Sequence, residues 1–181
     1  MLPIRIDDTL MLRLFEEQDA AEFYALMRRN EDRLHRWLSP RHVPTSLDAM
    51  NERIARARQN AGKGTALEIM IVLGGVIVGR CTMFDIDKTN AKAEIGYWLD
   101  AGLEGKGIAT KACKAMLEYA FNGLELNRIQ LRTHPGNAKS VAVAERLGFR
   151  LEGIMRQEFR GASGHYEDSA LYSLLAQDWR G

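Results

Sequence analysis

Apolar residues follow two different spacings along this 181-residue chain. Up to about residue 65 they recur every three or four positions, which is typical of one face of an amphipathic helix. Farther on they form short β-branched runs or alternate with polar residues, which is typical of strands. The spacing predicts helices that begin after Asp19, over residues 32–38 and after Thr45, and later helices over residues 108–121 and 140–147. The predicted strands cover residues 11–15, 67–73, 76–83, 93–99, 128–133, 149–159 and 166–175.

The order of these elements indicates an α+β fold. Helices come first, followed by an antiparallel meander with a two-residue turn at Gly74-Gly75, and then by strand–helix–strand–helix–strand–strand. The strand–helix–strand unit requires a right-handed parallel crossover near the centre of the sheet. We expect a single domain over residues 1–181, with a mixed, mostly antiparallel sheet of about seven strands flanked by helices.

Charge and cysteine content argue against several classes of function. The net charge of +1 gives no electrostatic case for binding nucleic acid or a membrane, and no apolar run approaches the length of a membrane span. The first nine residues do not resemble a signal peptide. Cys81 and Cys113 have neither metal-ligand nor disulfide-framework spacing. We therefore expect a cytoplasmic protein that has no metal site and contacts neither nucleic acid nor membrane.

The stretch from Arg28 to Arg58 is locally basic, with eight arginines against four acids. Such a stretch suits a solvated helical surface, or a face for an acidic partner or an anionic cofactor. The solvated surface is the preferred interpretation because charged runs on helices usually face water.

A glycine-rich turn, Glu104-Gly-Lys-Gly-Ile-Ala-Thr110, separates a predicted strand from a predicted helix. Gly105 and Gly107 permit close backbone approach and a positive φ. The first N–H groups of the helix point outward with the positive end of its dipole, and Lys106 adds a full charge. These groups together favour a pyrophosphate. The turn fits neither GxxxxGK[ST] nor GxGxxG, and a helix-initiating turn without a ligand is the alternative.

The same turn resembles the central loop of the GNAT acetyltransferases, which reads Gln/Arg-x-x-Gly-x-Gly/Ala and holds the pyrophosphate of coenzyme A. Gly107 and Ala109 match the two small-residue positions, whereas Glu104 replaces Gln or Arg. An acid beside a pyrophosphate is expected to weaken its binding.

The resemblance covers nearly the whole chain and is most specific to the RimJ/RimL type, the ribosomal-protein N-terminal acetyltransferases. It implies the GNAT fold, whose central strands splay apart, with acetyl-CoA as cosubstrate, and it is compatible with a homodimer. The matching stretches are residues 30–38, 94–99, 137–141, 146–149, 151–153 and 168–175.

The resemblance also implies how the cofactor is held. In this family the pantetheine arm lies in the gap between the two splayed strands, which here are residues 95–99 and 128–133. Backbone groups near Trp98 and Leu99 would then bind pantetheine, and a backbone N–H there would polarise the thioester carbonyl. Asn137 would contact the pantetheine, although Asn at a helix start is also an ordinary N-cap. The pyrophosphate would bind at Gly105, Lys106, Gly107, Ile108, Ala109 and Thr110.

Ser140 is the predicted general acid or thiolate stabiliser. Many family members carry a tyrosine four residues after this position to protonate the leaving thiolate, but this chain has Ala144 there. Members similar to RimL offer the serine instead. The alternative role for Ser140 is helix capping.

Glu158 and Glu94 are the candidate general bases. Glu158 lies in the strand where RimL-like enzymes carry their carboxylate, but its spacing from Gly153 is one residue off, so it needs a bulge to face the site. Glu94 lies on the central strand, where other members place a carboxylate. His134 and His165 are further candidates because histidine titrates near neutral pH. We rank Glu158 above Glu94.

The acceptor predicted from these residues is an α-amino group. An α-amine has a pKa of about 7.7–8.0 and is roughly 10% neutral at pH 7, whereas a lysine is about 0.04% neutral. A site with one modest base and no strong acid therefore suits the N-terminus of a protein or peptide, which agrees with the resemblance. The alternatives are a small-amine (polyamine or antibiotic) acetyltransferase and a non-catalytic acyl-CoA-binding regulatory domain.

Overall fold

The computed structural model describes residues 2–38, 43–161 and 164–181, and arranges them as one mixed sheet with helices on both faces. The strands are β1 (Ile4–Arg5), β2 (Leu10–Leu14), β3 (Leu67–Leu73), β4 (Val76–Asp87), β5 (Lys92–Leu99), β6 (Arg128–Thr133), β7 (Arg150–Arg160) and β8 (Tyr166–Leu175). The helices are α1 (Ala20–Arg29), α2 (Glu31–Trp37), α3 (Leu47–Lys63), α4 (Ile108–Glu118) and α5 (Ala138–Arg146).

The sheet confirms the predicted α+β fold. Its strand order is β1-β2-β3-β4-β5-β6-β8-β7, and β5 with β6 is the parallel pair that the crossover through α4 requires. The described residues form eight strands rather than about seven, because β1 is too short to show a hydrophobic pattern. That strand is two residues long and pairs Ile4 with Leu12 at the edge of the sheet.

Two helix starts differ from the sequence prediction. The Asp19 side chain does not cap α1; its carboxylate accepts two bonds from Arg13, at 2.6 and 2.7 Å. Ser46, and not Thr45, caps α3, since its hydroxyl accepts the N–H of Ala49 at 3.1 Å. Polar residues adjacent in sequence compete for such roles, and the tertiary partner decides between them.

The two faces of the sheet carry separate cores. Side chains alternate along β5, so that Ile95 and Leu99 are buried with α4 and α5, whereas Trp98 is buried against α1, 5.6 Å from the ring of Phe23. We call these the α4/α5 face and the α1–α3 face.

The centre of the sheet is open at one end. β5 and β6 pair only from Lys92↔Arg128 to Ile95↔Leu131. Beyond that point β5 stays paired with β4 as far as Leu99, and β6 stays paired with β8 as far as Thr133. The two strands therefore splay apart at their C-terminal ends, as expected, and leave a gap between them.

The basic stretch between Arg28 and Arg58 is largely neutralised within the protein. Arg28, Arg29, Arg33, Arg53, Arg56 and Arg58 each form an ion pair with a carboxylate of the chain. Arg41 lies outside the described residues. No helix of the described part of the chain is long and apolar enough to cross a membrane.

Candidate functional site

The edge of β5 that faces the gap has no partner among the described strands beyond Ile95, and of its backbone groups the carbonyl of Leu99 accepts from Arg33. The N–H of Asp100 donates to Val78 of β4 at 2.8 Å, and the carbonyl of Ala91 accepts from Arg128 of β6 at 3.1 Å. Because backbone groups alternate in direction along a strand, those of Tyr97 and Leu99 point toward β6, into the gap. The backbone of Trp98 points toward β4, and its side chain is buried in the core of the α1–α3 face. An extended, amide-bearing ligand can pair with Tyr97 and Leu99 as an added strand would.

The glycine-rich turn that follows β5 forms an open cradle. Gly105 and Gly107 have φ values of +75° and +76°, and apart from chain neighbours no atom of residues 2–38, 43–161 or 164–181 lies within 4 Å of the position that a Cβ would occupy on either. Gly107 directly precedes α4, whose first N–H groups, from Ile108 to Thr110, have no partner within the helix. Lys106 is exposed and has no ion-pair partner in the described parts of the chain. The cradle therefore fits a phosphate or pyrophosphate.

The side chain of Ile108 belongs to the core, so this residue can contribute only its backbone to the cradle. The hydroxyl of Thr110 accepts a bond from Arg146 at 2.9 Å. That bond ties the start of α4 to the end of α5.

Asn137 and Ser140 lie at the start of α5, next to the open end of β6. Asn137 caps the helix by accepting the N–H of Ser140 at 3.3 Å. The Ser140 oxygen lies 3.3 Å from the hydroxyl of Tyr97, which reaches it from β5 on the α4/α5 face. Burial raises the pKa of Tyr97 well above its usual value, so the phenol stays protonated and its O–H donates the hydrogen bond to Ser140. The proton of Ser140 itself is then free to point elsewhere.

A carboxylate–arginine–carboxylate cluster occupies the opposite, α1–α3 face. The Nε of Arg132 contacts both oxygens of Glu94 at 2.9 and 2.8 Å, and its Nη1 donates to Glu158 at 2.7 Å. Glu94 is buried, and burial raises its pKa although the pairing with Arg132 opposes the shift. Glu158 is about one-third exposed, and only its Oε1 is held by Arg132. Glu158 is thus the more accessible of the two carboxylates.

A bulge in β7 turns Glu158 toward this cluster. The pairing passes from Met155↔Ser169 to Phe159↔Glu167, so that three residues of β7 oppose one residue of β8. Gln157 has a φ of +54° and donates its N–H to Asp168 at 2.9 Å. A bulge is present at Glu158, but it contains two extra residues rather than the one by which the spacing is off, and the left-handed Gln157 lies within it.

His134 is used within its own loop. Its Nδ1 accepts the N–H of Gly136 at 2.9 Å, its Nε2 lies 3.6 Å from Glu167, and its ring lies 5.6 Å from that of Trp37. The lone pair that a base needs is thus already engaged. His165 lies in the β7–β8 connection, where its carbonyl accepts from Gly161.

Sequence reasoning missed two members of the site, Arg132 and the Tyr97 hydroxyl. Alternation along β5 and β6 assigns each to a face, but the partners Glu158 and Ser140 come from remote segments that no local spacing connects to them. Among residues 2–38, 43–161 and 164–181, no group of three or more His, Cys, Asp or Glu side chains could hold a metal ion.

Comparisons with known proteins agree with this geometry. Residues 9–150 match the family described as the acetyltransferase (GNAT) domain. The chain is 37% identical to the putative ribosomal N-acetyltransferase YdaF of Bacillus subtilis, over 100% of this chain and 99% of that protein. It is 30% identical to the ribosomal-protein-serine acetyltransferase of Escherichia coli, over 95% and 96% of the two chains. The structure of RimL, a ribosomal L7/L12 α-N-protein acetyltransferase in complex with coenzyme A, superposes with a TM-score of 0.89 at 30% identity, covering 96% of this chain and 97% of that one.

Proposed function

This chain belongs to the GNAT acetyltransferase family and is an acyl-CoA-dependent enzyme, and we propose that it acetylates the α-amino group of a protein or peptide by direct attack in a ternary complex. The observation that carries the proposal is the placement of two functional groups on opposite faces of one gap. Glu158, held by Arg132, lies on the α1–α3 face, and Ser140, held by Tyr97, lies on the α4/α5 face. An acceptor and a thioester can meet between them.

Acetyl-CoA supplies the acetyl group as a thioester, and the residues of the gap suit it. The cradle of Gly105 to Thr110, with Lys106, would hold the pyrophosphate. The backbone edge at Tyr97 and Leu99 would hold the pantetheine beside Asn137. A backbone N–H on this edge is also the donor that polarises the thioester carbonyl.

Each of the five side chains has a separate task in this proposal. Glu158 accepts a proton from the amine through its free oxygen, directly or through a water. Glu94 is the buried counter-ion that fixes Arg132, and Arg132 in turn positions Glu158. Ser140 donates a hydrogen bond to the departing sulfur, while Tyr97 orients the serine hydroxyl.

The choice of an α-amine rests on its acidity and on the relatives. A single partly exposed carboxylate is a modest base, which is enough for a group with a pKa of about 7.7–8.0 but demanding for a lysine at about 10.4. The similar proteins from Bacillus subtilis and Escherichia coli carry ribosomal names. A ribosomal-protein N-terminus in the cytoplasm is therefore the acceptor that we propose.

We expect acetylation of N-terminal peptides, with a pH–rate profile that rises through about pH 7–8 as the α-amine loses its proton. The test offers acetyl-CoA with peptides bearing a free or a blocked α-amine, with spermidine and with an aminoglycoside. Thiol release and product mass are measured for each. Turnover on spermidine or the antibiotic alone would identify a small-amine enzyme, and absence of thiol release with every acceptor would favour a binding domain.

Replacing Glu158 with glutamine should lower kcat/KM about 10²-fold at pH 7 and move the rising limb of the pH profile upward, because the amine loses its proton acceptor. Glu94→Gln is the matched control, since it removes the other carboxylate bound to the same arginine. Its main effect should be a lower melting temperature, with a smaller loss of kcat/KM than in Glu158→Gln, because Glu94 is the buried partner of Arg132. A larger rate loss in Glu94→Gln than in Glu158→Gln would identify Glu94 as the general base.

A further inference from the structure

Glu104, the residue at which this chain departs from the family loop, is engaged by two cations from different helices. Its Oε1 accepts from Arg33 of α2, and its Oε2 lies 2.6 Å from the Nζ of Lys139 on α5. Arg33 also donates to the carbonyl of Leu99 at the end of β5. One carboxylate thus connects helix α2, the glycine-rich turn and the first turn of α5.

This ion-pair chain lies across the mouth of the gap. Glu104 comes three residues before the cradle glycine Gly107, and Lys139 immediately precedes Ser140 at the open end of β6. The Leu99 carbonyl points into the gap by the alternation of β5. A ligand that runs from the cradle into the gap would therefore come close to the contact between Glu104 and Lys139.

The cations at the mouth of the gap can exchange one anionic partner for another. Arg33, Lys106 and Lys139 are three cations around one acid, and two of the three are paired with Glu104. A pyrophosphate in the cradle would face the same cations with more negative charge than one carboxylate carries, and it would be repelled by Glu104 itself.

We propose that Glu104 is a built-in competitor of the cofactor pyrophosphate: it holds Arg33 and Lys139 in place across the mouth of the gap and gives up Lys139 when the pyrophosphate binds. This inference rests on the cofactor cradle of the proposed function. It explains why an acid is compatible with a pyrophosphate loop, since the carboxylate keeps long cationic side chains ordered until the ligand takes them over. The consequence is a cofactor affinity set below the value that the loop alone would reach.

The test measures equilibrium binding of coenzyme A by calorimetry, without any acceptor. Glu104→Gln keeps the shape of the side chain and removes its charge, and it should tighten binding about fivefold, the effect of one partly exposed charge pair. The same gain is expected with 3′-dephospho-CoA, which retains the pyrophosphate. The control is Glu145→Gln, which removes an exposed charge elsewhere on α5 and should change the affinity less than twofold.

A second variant changes a residue outside the loop, so that its result does not depend on how the loop folds. The Lys139 side chain is 78% exposed, so Lys139→Gln should not disturb folding. It should weaken coenzyme A binding about twofold alone and about fivefold in the Glu104→Gln background, because the lysine is then no longer shared.

Three results would contradict the proposed competition between Glu104 and the pyrophosphate. They are unchanged or weaker binding in Glu104→Gln, a gain that disappears with 3′-dephospho-CoA, and equal effects of Lys139→Gln in both backgrounds. If the unaltered protein itself fails to bind coenzyme A, the cofactor cradle of the proposed function is wrong as well.

Discussion

Replacing Gly107 with valine is expected to weaken coenzyme A binding at least about hundredfold, because two or more hydrogen bonds to a charged phosphate would be lost at about 1.5–3 kcal/mol each. Gly107 has a φ of +76° and sits where the backbone must approach the ligand. Apart from its chain neighbours, no atom of the described residues lies within 4 Å of the added Cβ, so the new side chain starts in open space on the ligand side. Calorimetric titration with coenzyme A measures the loss.

Gly75→Val is the matched control for backbone strain. Gly75 has a φ of +84° in the β3–β4 turn, also with no atom within 4 Å of its Cβ position, and lies outside the cofactor loop. A non-glycine residue in this conformation costs about 1–2 kcal/mol, so both variants should melt at a lower temperature. Only Gly107→Val should lose coenzyme A. Unchanged coenzyme A affinity in Gly107→Val would show that the pyrophosphate does not bind at this turn.

Local signals were strong enough to predict most of the sheet. The run Leu67–Leu73, the turn at Gly74-Gly75 and the strand Tyr166–Leu175 have the bounds that their residues predicted. In these segments hydrophobic period and turn chemistry point to the same structure. The parallel crossover was predictable as well, because a strand–helix–strand connection within one sheet is almost always right-handed.

The far end of the helix after the cradle could not be predicted from its apolar stripe. The predicted helix runs to about residue 121, with a stripe whose last member is Tyr119, but the α-helix ends at Glu118 and a π-helical turn, Tyr119–Gly123, follows it. Periodicity reports which residues are buried and is insensitive to one extra residue per turn.

The contacts of the candidate site depend on distant pairings that the sequence does not encode locally. Glu158 faces Arg132 only because Gln157 adopts a left-handed conformation in the β7 bulge, and Gln is an uncommon residue there. Glu104 looked unfavourable beside a pyrophosphate because its two cations, Arg33 and Lys139, come from helices 71 and 35 residues away in sequence. Such partners become visible only when the fold brings them together.

Ser140→Ala is expected to lower kcat about 10²–10⁴-fold, the usual effect of losing a positioned acid. The binding of coenzyme A should change little, because the N–H of Ser140 and the cap by Asn137 are kept. Single-turnover rates and calorimetric titrations separate the two effects. If kcat falls less than about threefold, water protonates the thiolate, since loss of a required donor lowers the rate much more.

Tyr97→Phe should reveal whether the tyrosine acts through the serine. The phenol donates to Ser140 and keeps its proton because burial raises its pKa, so it orients the serine hydroxyl and does not itself deliver a proton. Removing it should lower kcat about threefold to tenfold, the value of one hydrogen bond, and leave coenzyme A affinity unchanged. In the Ser140→Ala background the same substitution should have no further effect on kcat, because the group that Tyr97 orients is gone. Full additivity of the two rate losses would instead make Tyr97 an independent contributor to catalysis.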